Sequence, residues 1–174
     1  MTKSVELRRH TDNDGDQLSS EGVAAAVEIG RKLDGDFDLV VSSGAHRATQ
    51  TAACFLSGLE GKVATGVVVD TRFRSEFEDK WKEAYERAGA GDLASFRRAA
   101  PDLVDNESKL MGRALEDVFD RLPEGGRAMV VGHSPMQEAA VYGLTGEIVE
   151  PLSKGAGVLV VSEDDGTLRV EALG

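Results

Sequence analysis

Two histidines, a few arginines and one or two acids are the residues of this chain that could do chemistry, and they recur in one arrangement. Val5-Glu6-Leu7 runs into Arg8-Arg9-His10-Thr11. Leu39-Val40-Val41-Ser42-Ser43 runs into Gly44-Ala45-His46-Arg47, and Met129-Val130-Val131-Gly132 runs into His133-Ser134-Pro135. Each is a short apolar run followed by a polar break, the pattern of a buried strand and its turn. The cationic and titratable residues therefore fall at strand carboxyl ends, where open α/β sheets bind ligands. Arg9, His10, Arg47 and His133, with one acid near Glu76, form the candidate set. Arginine forks match phosphate oxygens and stay charged at any working pH. A neutral histidine is a nucleophile or a proton carrier near neutrality. Phosphoryl transfer asks for positioning, charge stabilisation and a proton for the leaving oxygen, which a glutamic acid can supply. Acyl transfer fits less well: Ser42, Ser43 and Ser134 sit at strand tips, but no G-x-S-x-G elbow surrounds them.

The elements that must position these residues follow from periodicity. Asp12 to Gln17 reads as a polar loop, after which Ser19 or Ser20 caps a helix with Val23, Ala26, Val27, Gly30 and Leu33 on one face. Phe37 to Ser42 reads as a strand, Ala45 to Leu59 as a helix, and Val67-Val68-Val69 as a strand. The middle, about 77–122, is helical, with breaks at Gly89, Gly91 and Pro101. Ala128 to Val131 is a strand and Pro135 to Leu144 a helix. Gly157 to Ser162 and Thr167 to Ala172 read as a closing hairpin. Strand alternating with helix specifies an α/β three-layer sandwich: a mostly parallel sheet, helices on both faces and an antiparallel edge.

Composition bounds the function. At 174 residues the chain suits one domain, 1–174, with a helical insert at about 77–101. A net charge of −11 with no basic run argues against a nucleic-acid or anionic-membrane partner. A small phosphorylated substrate stays open, because a local cluster of Arg and His outweighs the global sign. The lone Cys54 makes no internal disulfide and supplies no metal cluster. With no secretory h-region and no membrane-length apolar run, the expected compartment is the cytoplasm. The sequence carries no signal for oligomeric state.

Taken together, the three motifs resemble those of the histidine phosphatase (phosphoglycerate mutase-like) superfamily. Leu7-Arg8-Arg9-His10-Thr11 is similar to its arginine–histidine–glycine signature. Ser42-Ser43-Gly44-Ala45-His46-Arg47-Ala48-Thr49-Gln50-Thr51-Ala52 is similar to its second motif, and Val130-Val131-Gly132-His133-Ser134 to its third. Leu18-Ser19-Ser20-Glu21-Gly22 resembles its helix entry, so the matches run in family order over about 5–145. The resemblance implies that His10 attacks phosphorus and carries it as phosphohistidine. It implies that Arg9 and Arg47 hold the phosphoryl oxygens and that His133 completes the pocket and stabilises the transferring group. The implied proton donor is a glutamate soon after the third strand, Glu76 by choice and Glu78 in reserve. No metal and no organic cofactor is implied.

The chain also departs from the family pattern. Thr11 replaces the glycine that follows the nucleophile, so a narrowed pocket or a redirected loop is expected. The 12–17 loop is short and acidic. Asn13 can stand in for the mutases' asparagine there, but their substrate-touching arginine has no match, and Asp12, Asp14 and Asp16 would repel a second anionic group. This favours a compact, SixA-type or broad-specificity phosphatase over a sugar-phosphate mutase, although the insert is long for the SixA subgroup. Three functions remain: a phosphatase acting on a phosphomonoester or a protein phosphohistidine, a phosphoglycerate mutase-type phosphotransferase, and a phosphate-binding module without turnover. Of the remaining polar residues, Arg8 should point away from Arg9 by strand alternation. His46 reads as solvated, Arg72 and Arg74 as salt-bridged, Trp81 and Tyr85 as packing residues, and Cys54 as a buried small apolar residue.

Overall fold

Strand alternates with helix through most of the chain, and the computed structural model describes residues 2–173. In chain order the elements are β1 (Lys3–Arg9), β2 (Asn13–Asp14), β3 (Gln17–Leu18), α1 (Ser20–Lys32), β4 (Leu39–Ser42), α2 (His46–Gly58), β5 (Val67–Val69), α3 (Glu78–Ala88), α4 (Leu93–Ala99), α5 (Pro101–Arg121), β6 (Arg127–Gly132), α6 (Met136–Thr145), β7 (Gly157–Ser162) and β8 (Leu168–Leu173), with a 3₁₀ turn at Thr71–Phe73. Among the described residues the main sheet has the order β5-β4-β6-β1-β7-β8. The β5/β4, β4/β6 and β6/β1 pairs are parallel; β1/β7 and β7/β8 are antiparallel. This is the expected α/β sheet with an antiparallel edge.

Local chemistry sets the boundaries. Ser19 caps α1, its hydroxyl accepting the Gly22 amide at 3.0 Å. Gly89 ends α3 in the left-handed region at φ 71°, which its missing Cβ permits. Pro101 opens α5, where its absent N–H leaves no broken helix bond. Three expectations shift. The 12–17 loop contains a small hairpin, β2 with β3, and is not wholly irregular. Phe37 precedes the strand and makes an isolated bridge to Val63, so β4 begins at Leu39. The last strand begins at Leu168, because the Thr167 hydroxyl and amide both bind the Asp165 carboxylate in the turn.

Alternation along the strands sends side chains into two cores. Val5, Leu7, Leu39, Val41, Ala128 and Val130 join one core with residues of α3, α4, α5 and α6. Val40, Met129 and Val131 join the other with Ala26 of α1 and Ala48, Ala52 and Phe55 of α2. Each outer helix pair closes through glycine. A Cβ on Gly143 of α6 would lie 1.8 Å from the Ser108 carbonyl oxygen of α5, and one on Gly30 of α1 would lie 2.2 Å from that of Phe55 on α2. The two helix layers pack on opposite faces of the sheet, in which strand pairing holds the carboxyl tips of β4, β6 and β1 side by side.

Candidate active site

The backbone fixes the site before any side chain does. Beyond the strand ends the ladder continues: the His10 amide donates to Gly132 O at 2.9 Å, and the Ser43 amide to Val131 O at 3.1 Å. The three tips therefore share one register, and Arg9, His10, Arg47 and His133 line a single cavity of about 520 Å³. All four residues singled out at the strand tips are brought together. Asn13, Arg74, Ser75, Glu78, Ser134 and Lys154 complete much of its wall.

The two imidazoles stand edge to face, ring centroids 5.4 Å apart. His10 is 5% exposed, and its Nδ1 lies 2.8 Å from Thr11 O. A carbonyl only accepts, so Nδ1 carries the hydrogen and Nε2 keeps its lone pair. Burial, with Arg47, Arg9 and Lys154 nearby, lowers the His10 pKa to about 4 against the bond to Thr11, so the ring is neutral near pH 7. His133 is also held neutral: burial first, then Arg47, His10 and Arg74, lower its pKa to about 3. Arg47 approaches His133 Nδ1 at 3.3 Å and can only donate, so Nε2–H donates to Ser43 Oγ at 2.7 Å.

The cations divide into an inner and an outer set. Arg9 donates through one terminal nitrogen to Leu152 O at 3.0 Å. Its Nε is buried with no hydrogen-bond partner among the described residues, a donor for which an oxyanion would be an acceptor. Burial pulls the Arg9 pKa down, and the charge of nearby Glu138 opposes this. Glu138 is itself fully buried on α6 and accepts from Ser134 Oγ, and burial pushes its pKa up. The outer cations each meet a carboxylate: Arg47 meets Asp16 at 2.8 Å, Lys154 meets Asp12 at 3.0 Å and Arg74 meets Glu78 at 2.9 Å. The loop acids thus neutralise side chains of the cavity instead of repelling a ligand outright.

Glu76 is not brought into this cavity. It is exposed, and it faces a separate hollow lined in part by Thr71, Arg72, Glu107 and Leu110. Glu78, two residues on at the start of α3, lines the cavity with His10 instead. The reason is local: the Ser75 hydroxyl donates to buried Glu107 and accepts the Phe77 amide at 2.9 Å, which pins the segment and turns Glu76 outward. Thr11 neither lines the cavity nor needs an unusual backbone. Its hydroxyl donates to Gly22 O at 2.8 Å, and its amide donates to Thr51 Oγ1 at 3.2 Å. The expected narrowing is absent because the side chain turns under α1. Arg8 points away as alternation requires, buried against Glu6 at 2.6 Å. His46 is solvated, with its side chain 87% exposed. Arg72 pairs with Asp70 and Asp117, and Cys54 is half-buried.

Lys154 and Glu138 escaped the sequence reading. Lys154 lies in the connection to β7 with no motif around it. Glu138 follows Ser134 by one helical turn, a spacing that was legible but unused. Among the described residues no group of three or more His, Cys, Asp or Glu is placed to hold a metal ion. No helix among them is long and apolar enough to cross a membrane.

Comparison with known proteins bears on the family and the fold. A family model described as histidine phosphatase superfamily (branch 1) matches residues 2–150. The fold is similar to phosphoglycerate mutase from Bacillus anthracis str. Sterne, with TM-score 0.72, 17% identity, and coverage of 99% of this chain and 92% of that one. It is similar to the Bacillus stearothermophilus protein YhfR, with TM-score 0.70, 17% identity, and coverage of 98% and 96%. It is also similar to the protein histidine phosphatase SixA complexed with tungstate, with TM-score 0.62, 18% identity, and coverage of 98% and 96%. At these identities the likeness is one of fold. No curated protein sequence matches the chain significantly.

Proposed function

Because the chain belongs to the histidine phosphatase superfamily, branch 1, we propose that it is a metal-independent phosphatase working through a phosphohistidine on His10. Its substrate is a phosphomonoester or a protein phosphohistidine. The observation that carries this reading is the His10 tautomer: Nδ1–H is held by Thr11 O, which leaves a neutral Nε2 lone pair in a cavity of cations.

The lone pair of Nε2 forms the N–P bond as the P–O bond to the alcohol breaks. Arg9, with its unpartnered Nε, and Arg47 hold the equatorial oxygens, where charge spreads in the transition state. His133 reaches the phosphoryl group through Nδ1. An oxyanion there draws the proton to Nδ1, and the Ser43 hydroxyl then turns to donate to Nε2. Glu78 protonates the leaving oxygen. Arg74, which holds Glu78 in the free protein, is drawn to the incoming dianion and releases the carboxyl group for that role. In the second half, water attacks phosphorus and gives its proton to Glu78, and the P–N bond breaks to return neutral His10 and free phosphate.

A mutase must grip a second anionic group; with Arg47 and Arg74 taken up by the phosphoryl group and Lys154 paired with Asp12, little charge is left for one. The test is phosphate release from an aryl phosphate with a chelator present, beside His10→Ala. Release by the parent protein alone is expected. Equal release by both, or release only on adding a metal ion, contradicts the reading.

A further inference from the structure

A second trough of about 460 Å³ opens from the phosphate cavity along the helical insert. The two hollows share Arg9, Glu78, Ser134 and Met136. Beyond these the trough is walled by Trp81 and Tyr85 of α3, Phe96 of α4, and Pro135, Pro151 and Leu152. Lys82 is the one charged side chain it adds to those it shares.

The aromatic residues are not equivalent. Trp81 is 4% exposed, stands edge-on to Phe96 with centroids 5.4 Å apart, and donates its indole N–H to Glu107 at 3.2 Å. Trp81 is therefore a packing residue, as the sequence suggests, and Phe96, 3% exposed, packs with it. Tyr85 lies 6.1 Å from the Phe96 ring, yet it is 54% exposed while forming part of the trough wall. An aromatic ring left half in water on a cavity wall is placed to pack against a ligand that enters there.

We propose, resting on the phosphatase reading above, that this trough is the leaving-group subsite and that the substrate's alcohol is a flat, apolar, ring-bearing group packed against Tyr85. In-line displacement places the leaving oxygen opposite His10. Glu78, which supplies its proton, belongs to the wall common to both hollows, so the carbon attached to that oxygen enters the trough. Its walls offer aromatic faces, prolines and Leu152, which suit a ring and give little to pair with the polar flanks of a protein chain. Of the outer cations, Arg47 and Arg74 are taken up by the phosphoryl group and Lys154 is paired with Asp12, so no second anion on the substrate is called for.

The test compares esters whose alcohols have similar acidity: benzyl phosphate against glycerol 1-phosphate. 4-Nitrophenyl phosphate serves as the control for His10-dependent turnover, and a phosphohistidine protein serves as the competing substrate. The kcat/KM for benzyl phosphate is expected to exceed that for glycerol 1-phosphate by about tenfold or more. Tyr85→Ala is expected to cut that ratio by about three- to tenfold, and Tyr85→Phe to retain it. Equal kcat/KM for the two esters overturns the proposal even if the alanine variant fails to fold. So does a ratio indifferent to Tyr85→Ala, or faster turnover of the phosphohistidine protein. In each of those cases His10-dependent release from 4-nitrophenyl phosphate leaves the phosphatase reading standing. Loss of all His10-dependent release removes both.

Discussion

At the scale of the residue, the site depends on which nitrogen carries a proton. Thr11 O and the Arg47 guanidinium give the two imidazoles opposite tautomers, Nδ1–H on His10 and Nε2–H on His133. Nitrogen-15 NMR of the ligand-free protein should show these tautomers, with both rings neutral at pH 6 and His10 protonating only near pH 4. Titration of His10 near its ordinary 6.5 would contradict the assignment. Both folded pKa values lie below the unfolded one, so the unfolded chain binds more protons once pH drops under 6.5. The stability these rings hold above that pH is lost as pH falls toward about 4 and 3. The acid is tested separately. Glu78→Gln should lower kcat for an alkyl phosphate by about 10²- to 10⁴-fold, and less for 4-nitrophenyl phosphate, whose leaving oxygen needs no proton. Glu76→Gln should change neither rate. The sequence made both glutamates visible and the resemblance put Glu76 first; the structure reverses that order at the cavity, because it depends on Ser75 bonding to Glu107, which lies far along the chain.

At the scale of the element, three apolar runs ending at Arg9-His10, Ser43 and His133 were enough to place the strand tips. Strand alternation also placed Arg8 away from the cavity. What periodicity passes over is how closely helices approach, because a glycine adds nothing to an amphipathic stripe. Gly143 of α6 lies against the Ser108 carbonyl of α5, and Gly112 of α5 against the Gly143 backbone. Gly143→Ala should force these helices apart and cost about 1–3 kcal/mol, read from the denaturant midpoint. An unchanged midpoint would show that the crossing yields without strain. Since α6 begins just past His133, activity should fall along with stability. The insert was legible as helical, but its Tyr85 read as packing. Exposure beside a cavity is a tertiary property that spacing does not encode.

At the scale of the whole molecule, a net charge of −11 surrounds a cavity lined by Arg9, Arg47, Arg74 and Lys154. The global sign said nothing about how the acids are used. Asp12 and Asp16, read from the sequence as repulsive, hold Lys154 and Arg47. The Asp12–Lys154 pair joins the first turn of the chain to the connection before β7, and the Asp16–Arg47 pair joins it to α2; no local motif signals either. The alternation of strand and helix made the α/β class legible, and the strand order β5-β4-β6-β1-β7-β8 explains why the motifs converge: β4, β6 and β1 are neighbours although about 90 residues separate β4 from β6 in sequence. One chemical event follows from that convergence. The most direct measurement is rapid acid-free quenching during turnover of an aryl phosphate, followed by peptide mass spectrometry. The expected result is an acid-labile, base-stable phosphate on the peptide carrying His10, absent from His10→Ala. Turnover with no phosphate on His10, or with phosphate on His133 or a serine instead, would contradict the mechanism.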